Sequence, residues 1–572
     1  MTSRRAWPWL VLLVILLAYV VSVLRLHPEN LFGRTHDDTI YFSSAKALAD
    51  GQGYILPSVP GTPPATEYPV LYPWILSWVW RWNPSFPANL TDAIRITIAL
   101  GVIFIVLTFR FLRSLKGLSD SEALLLTAVC ALHPIVIGYS GAVMTEIPFA
   151  TAALAAMVVA EKAMARDSRP AMAAACGILS GFSMLLRILG VPIAAGIFIA
   201  GVTQRAWKQT AIWAAAVAPF FGWLAWRALS SVRVFPPASG GAPKPGYVQT
   251  WTYYTSYIGF RKLCMPSGHV VWEMFVNQFV FLLAHVPGLF IGSMFGGHIA
   301  PWFVATLAVL FVMIFGLVRQ AKLGGLRPFH YSLVFYLAAI LTWQYPEIKR
   351  FLVPFLPLIA ASLWYGGKEA ARELAAAIRA PRPAIERAFA AVLGVLAIAL
   401  ALGMAWNFVF SGRAEMVTAS EDAASLLAEK REAYQWLRAN SSPDARAVAT
   451  EDVALYLYTG RQAMSHIALI PAGLYDPSIM QRDLDHMTDV TQGIQAAYWV
   501  SSPDDSGKES KAAKPLLAAR YAEIESVLPE LFRSSGGRVK IYGTNCILHP
   551  EEAACASADR ALFPADNLNS SH

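Results

Sequence analysis

The run WPWLVLLVILLAYVVSVLRL, residues 7–26, carries one charge, Arg25, and follows Arg4 and Arg5. At 1.5 Å of rise per residue, a helix of this length crosses the roughly 30 Å hydrocarbon core of a bilayer. A secretory signal peptide also begins with basic residues and an apolar stretch. This run has no clear small-x-small cleavage site, and many more apolar runs follow it, so it reads as a retained signal anchor.

Working outward from it, apolar stretches of spanning length fall at 7–26, 92–113, 120–138, 146–164, 170–187, 188–204, 209–229, 300–319, 328–345, 350–366 and 385–410, about eleven in all. Of the 572 residues 56% are hydrophobic and only 15% charged, against about a quarter charged in soluble proteins. The expectation is a polytopic α-helical membrane protein. The net charge of +8 does not indicate nucleic acid as a partner, because most basic residues sit beside the ends of apolar runs, where membrane topology explains them.

Alternating sides from a cytoplasmic N-terminus puts Arg110, Arg113 and Lys116 in an inner loop, and then Lys162, Arg166 and Arg169. Arg205 and Lys208, Arg319, Lys322 and Arg327, and Lys368, Arg372, Arg379, Arg382 and Arg387 follow in later inner loops, while the outer turn 139–145 has no Lys or Arg. This is the positive-inside asymmetry. Counting 272–297 as a span would invert every later loop; with Glu273, Asn277, His285 and Pro287 in it, it reads as a re-entrant or interfacial helix on the outer side. An odd span count leaves the tail outside. The organisation expected is a transmembrane domain over 1–410, with outer loops 27–91 and 230–299, and a small extracytoplasmic α/β domain over 411–572. In that tail Ala445–Thr450, Ala496–Ser501 and Arg538–Tyr542 read as strands, Glu421–Ala439 as a helix and Ser501–Lys514 as a mobile loop. Cys130 and Cys176 read as packing residues inside spans, whereas Cys546 and Cys555 can pair in an oxidising compartment.

Chemistry-bearing residues gather at the outer ends of the spans. The first outer loop opens with His36-Asp37-Asp38-Thr39-Ile40-Tyr41. Either acid can cap a helix Thr39–Ala49, or serve as a general base or as a metal or hydroxyl ligand at a cavity mouth. Glu67-Tyr68-Pro69-Val70-Leu71-Tyr72-Pro73-Trp74 reads as a rigid aromatic platform at the interface. Glu146, in Thr145-Glu146-Ile147-Pro148, and Arg187 are isolated charges among apolar residues. An ionisable group at that depth is a functional candidate, although Glu146 can also start a helix and Arg187 can snorkel. In Tyr345-Pro346-Glu347-Ile348-Lys349-Arg350-Phe351-Leu352-Val353-Pro354, two cations stand at an outer helix start. A helix N-terminus disfavours them, so an anionic ligand or Glu347 should offset them.

Asp37-Asp38-Thr39-Ile40-Tyr41, then Ala45, Leu48 and Gly51, then Tyr68-Pro69-Val70-Leu71-Tyr72-Pro73, together resemble the GT-C glycosyltransferases, closest to family-39-like members such as protein O-mannosyltransferases and the lipid A aminoarabinose transferase. Glu146 before Pro148, the run Arg350–Pro354 and the tail segment Tyr456-Leu457-Tyr458-Thr459-Gly460-Arg461 extend the likeness. The resemblance implies a bacterial inner (plasma) membrane enzyme with a GT-C-like fold. Such an enzyme takes a sugar from a polyprenyl-phosphate donor and gives it to an extracytoplasmic hydroxyl on a protein, lipid or glycan, by inverting displacement. It further implies Asp37 as catalytic base, Asp38 and Glu146 as groups that orient the acceptor or hold a divalent metal ion, and Arg187, Lys349 and Arg350 as donor-phosphate ligands. Tyr41, Glu67, Tyr68, Tyr72 and Tyr345 would line the substrate cavity. One departure stands out: Tyr68-Pro69-Val70 replaces the Lys-Pro-Pro of aminoarabinose transferases, removing a lysine contact to phosphate that Arg187 can replace. The alternatives are a lipid-linked sugar flippase or transporter and a non-catalytic scaffold. A transporter keeps its lone charges near the bilayer midplane, whereas those here gather at the outer ends of spans.

Overall fold

The computed structural model describes residues 3–26, 32–33, 35–229, 243–294, 303–345, 349–377, 382–406, 415–503, 513–552, 555, 562 and 563. Among them, helices occupy all eleven expected stretches. Seven described helices are long and apolar enough on their own to cross a membrane, and the pair Asp120–Ala131 and Pro134–Ser140, bent by 56°, makes an eighth. Helices Pro170–Leu186, Gly190–Thr203 and Pro328–Leu341 are shorter, and Glu146–Ala163 carries three charges. Among the described residues, length and composition alone support a full crossing at six of the eleven expected stretches, at a seventh if the bent pair is one span, and at Gly268–Phe290 besides. Local chemistry fixes the boundaries. Ser119 and Glu122 form a capping box, and prolines open Pro134–Ser140, Pro170–Leu186 and Pro328–Leu341 at the position where a missing N–H costs nothing.

The chain divides into two compact units, each assembled from separate stretches. The first comprises Met1–Pro28, Ala93–Leu224 and Phe275–Ala419. Its helices approach closely through small residues: Gly316 and Gly366 face each other's helices so tightly that a Cβ on either would strike a backbone carbonyl, of Ser362 or Val312. In lipid, such backbone approach replaces the hydrophobic effect as the packing force. At one end of this unit Arg327 bonds Glu161 at 2.5 Å and the Ser114 carbonyl at 3.2 Å, Lys368 bonds Glu122 at 2.5 Å, and Arg113 bonds Asp120 at 2.7 Å. The basic loops expected on one side thus meet at one end of the bundle.

The segment 272–297, expected to be re-entrant or interfacial, lies mostly in a single 27-residue helix, Gly268–Met294, whose stretch Gly268–Phe290 has the length and apolarity of a span. Pro287 does not break it. Gln278 bonds the carbonyls of Trp343 and Tyr345, beyond the end of helix Pro328–Leu341 remote from Arg327. Helix Phe303–Gly324 then ends three residues before Arg327, at the basic end.

The second unit comprises Glu29–Asp92, Ala225–Met274 and Ser420–His572. The outer loops therefore fold with the tail, not with the transmembrane helices to which the sequence boundaries assigned them. They share one core: Ile40, Leu56 and Val59 of the first loop and Tyr247, Trp251 and Tyr254 of the second pack with Val448, Met464 and Trp499. The tail holds a five-stranded sheet in the order β2-β1-β3-β5-β4, where β1 is Ala447–Val448, β2 Ala463–Met464, β3 Tyr498–Ser501, β4 Glu530–Arg533 and β5 Lys540–Gly543. β1 runs parallel to β2 and β3, and β5 runs antiparallel to β3 and β4. Three of the five coincide with the expected strands; β2 and β4 were not anticipated. Cys546 and Cys555 are disulfide-bonded. The loop expected at 501–514 falls almost wholly outside the described residues.

Candidate active site

In the first unit the sequence-selected charges converge on one buried carboxylate. Glu146 opens helix Glu146–Ala163, Arg187 ends helix Pro170–Leu186, and Arg350 lies in the 3-10 turn Lys349–Phe355. These are the ends of their helices remote from the basic loops. Glu146 Oε1 accepts from Arg187 Nη1 at 2.5 Å and lies 3.6 Å from Arg350 Nη1. Arg187 also donates to Thr145 Oγ1 at 3.1 Å. Both guanidiniums sit over the Phe351 ring, at 5.0 and 5.2 Å, a cation–π arrangement strengthened by poor solvation. Tyr336 donates to the Phe351 carbonyl at 2.7 Å and fixes the turn. The Glu146 side chain is 1% exposed, those of Arg187 and Arg350 11% and 15%. The second Glu146 oxygen has no hydrogen-bond donor among the described residues.

Two guanidiniums therefore meet at one carboxylate, and Lys349 precedes Arg350 in the same 3-10 turn. A counter-charge for Arg350 comes from Glu146, which was not among the partners anticipated; Glu347, which was, lies outside the described residues. Held between two guanidiniums, Glu146 is placed to orient the arginines. Tyr345 belongs to this unit through its carbonyl, which accepts from Gln278 at 2.6 Å.

In the second unit helix Asp37–Ala49 begins two residues earlier than expected. Its N-cap is His36, so neither acid is the cap; both lie in the first turn. Asp37 Oδ1 accepts from the Tyr68 hydroxyl at 2.7 Å. Asp38 is 2% exposed and takes the Gly33 amide at 2.9 Å and the Thr39 amide at 2.8 Å. With both oxygens on backbone donors, Asp38 shapes the turn.

Tyr41 and Tyr72 are buried and stack edge-on, Tyr41 against Tyr68 at 5.0 Å and against Tyr72 at 5.4 Å. They support Tyr68 from behind instead of lining an open cavity. Burial raises the Tyr68 phenol well above its ordinary pKa, reinforced by Asp37, so it stays a hydrogen-bond donor. Glu67 is half-buried and makes no hydrogen bond with a described residue. Burial first and the Asp37 charge second raise its pKa well above the usual carboxylate value.

The sequence reading missed His36, Tyr253 and Asp452, which join Asp37's turn to the tail: His36 Nε2 lies 2.9 Å from Asp452 Oδ1. No spacing signal could link positions 416 residues apart. The tail motif Tyr456–Arg461 is structural. Gly460 takes φ 74° to end helix Asp452–Thr459, and Arg461 bonds the carbonyls of Arg438 and Ser441 at the end of helix Glu415–Asn440. Among the described residues no group of three or more His, Cys, Asp or Glu side chains gathers as metal ligands.

No protein-family model and no curated protein matches the sequence. Solved structures do match in fold. ArnT from Cupriavidus metallidurans bound to undecaprenyl phosphate aligns over 94% of this chain and 98% of its own, at 13% identity and a TM-score of 0.51. The oligosaccharyltransferase of Archaeoglobus fulgidus, in complex with Zn and sulfate, aligns over 93% of this chain and 73% of its own, at 15% identity and the same TM-score, 0.51. The chain thus has the GT-C membrane fold that its motifs led us to expect, and it is an integral membrane protein.

Proposed function

We propose that the chain is a membrane glycosyltransferase that moves a sugar from a polyprenyl-phosphate donor to an extracytoplasmic hydroxyl on a protein, lipid or glycan. The observation that carries this reading is the convergence at Glu146: the nearly buried guanidiniums of Arg187 and Arg350 meet at the helix ends remote from the basic loops, in the turn that Lys349 opens. Guanidiniums gathered among apolar helices are placed to bind an anion by charge-assisted hydrogen bonds. A phosphate on a lipid tail supplies that charge and comes from within the membrane. The fold likeness to ArnT, which is bound to undecaprenyl phosphate, supports the same ligand class.

In the reaction, the acceptor oxygen attacks the anomeric carbon as its proton passes to the Asp37 carboxylate, which the Tyr68 hydroxyl holds in orientation. The bond from the anomeric carbon to the phosphate oxygen breaks, and the phosphate leaves with the electron pair. Arg187, Arg350 and Lys349 stabilise that charge, and a leaving group already this acidic needs no proton donor. One displacement inverts the anomeric centre. The Cys546–Cys555 bond suits a tail outside the cytoplasm, with the N-terminus inside.

The test is to incubate the purified protein with a panel of polyprenyl-phosphate sugars and measure free polyprenyl phosphate. Release from at least one donor is expected, and Asp37→Asn should abolish it while the chain still inserts and folds. Movement of intact donor across vesicles without release would make the protein a flippase. Undiminished release by Asp37→Asn would remove the base.

A further inference from the structure

The turn that carries Asp37 is anchored from the far end of the sequence. His36, immediately before it, has φ 59°. Positive φ is uncommon outside glycine, though histidine is among the residues enriched there, and it persists where surrounding contacts over-determine it. Both ends of His36 are pinned. Its carbonyl accepts from Thr39 Oγ1 at 2.7 Å and from the Ile40 amide at 3.2 Å. Its ring places Nε2 2.9 Å from Asp452 Oδ1 and Nδ1 3.3 Å from the Tyr253 hydroxyl. In the neutral ring, Nε2–H then donates to Asp452 while Nδ1 accepts from Tyr253.

Asp452 is fully buried, and its other oxygen accepts from the Tyr254 hydroxyl at 2.6 Å. The Tyr254 oxygen in turn accepts from the Ser465 amide at 3.3 Å. A carboxylate this deep persists only with such donors. An acid in the first turn of helix Asp452–Thr459 is favourable in general, but that preference does not account for its aim at His36. With ring and carbonyl both fixed, the next residue has little freedom: the His36 contacts set where the Asp37 side chain meets Tyr68.

We infer that Asp452 and His36 are positioning residues for Asp37, so that the C-terminal segment takes part in the transfer step itself. The inference rests on the transferase reading with Asp37 as base. Asp452→Asn keeps the shape and removes the charge. His36→Asn removes the ring while keeping a residue type that tolerates positive φ. In the full-length protein with an active donor from the panel, each variant should lower kcat about 10- to 100-fold with donor KM within about twofold. The double variant should be no slower than the slower single, because the two act as one unit. Hydrogen exchange at residues 37–42 should quicken in both variants while that of helix Glu146–Ala163 stays unchanged. Full kcat in folded Asp452→Asn, losses that multiply in the double variant, or unaltered exchange at 37–42 would each overturn the inference. If the wild type releases polyprenyl phosphate from no donor, the transferase reading falls by itself, and the exchange measurement still decides whether Asp452 holds the Asp37 turn.

Discussion

Replacing Glu146 by alanine strips the one carboxylate from between two nearly buried guanidiniums. Removing one partner of a buried ion pair costs roughly 3–5 kcal/mol, because the charge left behind is neither solvated nor paired. The lower end applies here. Arg187 keeps its bond to Thr145, both guanidiniums keep the Phe351 face, and their side chains retain 11% and 15% exposure. A loss of about 3 kcal/mol, at roughly 2 °C per kcal/mol for a body this large, lowers the unfolding midpoint by about 6 °C. The chain carries its own reporters: Cys130 and Cys176, free and buried in the first unit, react with a thiol dye only when that unit opens. Glu146→Ala should therefore label at lower temperature than wild type in detergent. Adding Arg187→Ala should recover part of the loss by removing one of the stranded charges. Polyprenyl phosphate should raise the midpoint of Glu146→Ala more than that of wild type, since the cluster then holds more uncompensated positive charge. A single variant within about 1 °C of wild type, or a double variant less stable than the single, would refute the reasoning that Glu146 holds the arginines in place.

Two further outcomes follow from the same geometry. Burial and Asp37 raise the Glu67 pKa well above 4.5, so the folded protein prefers the protonated form. Its contribution is fully present below 4.5 and is lost as pH rises through the folded value. Glu67→Gln, always neutral, should match wild-type stability near pH 4 and exceed it near pH 8 in thermal unfolding; equal midpoints at both would show that Glu67 is solvated. Gly366→Leu should destabilise by on the order of 1–3 kcal/mol by forcing its helix from the Val312 carbonyl. Gly222→Leu, in helix Trp207–Leu229 with nothing within 4 Å of a Cβ, serves as the silent control, and equal midpoints for the two would remove the close-packing argument.

Much of the fold was legible because lipid imposes a one-dimensional rule. A span needs a run of apolar residues long enough to satisfy its backbone internally, and such runs can be counted. Helices stand at every stretch so counted, and the basic loops between them meet at one end. Where polar residues broke the rule the reading lost resolution. Spans such as 146–164 and 170–187 form helices shorter or more charged than a full crossing, Glu146–Ala163 with Glu161 and Lys162 near its end and Pro170–Leu186 with only 17 residues. Short strands such as Ala463–Met464 were missed because two residues carry no periodicity to read.

The sequence by itself determined that this is a helical membrane protein with charges stationed at one set of helix ends, since hydropathy and charge asymmetry act locally along the chain. Only the tertiary structure decided what those charges do to one another. It put Arg187 and Arg350 on a single carboxylate, turned Asp38 toward backbone amides, gathered the outer loops into one core with the tail, and brought Asp452 to His36. Each of these depends on distance in space between residues far apart in the chain, and burial makes that distance decisive: at low polarity a carboxylate or guanidinium persists only where a partner meets it.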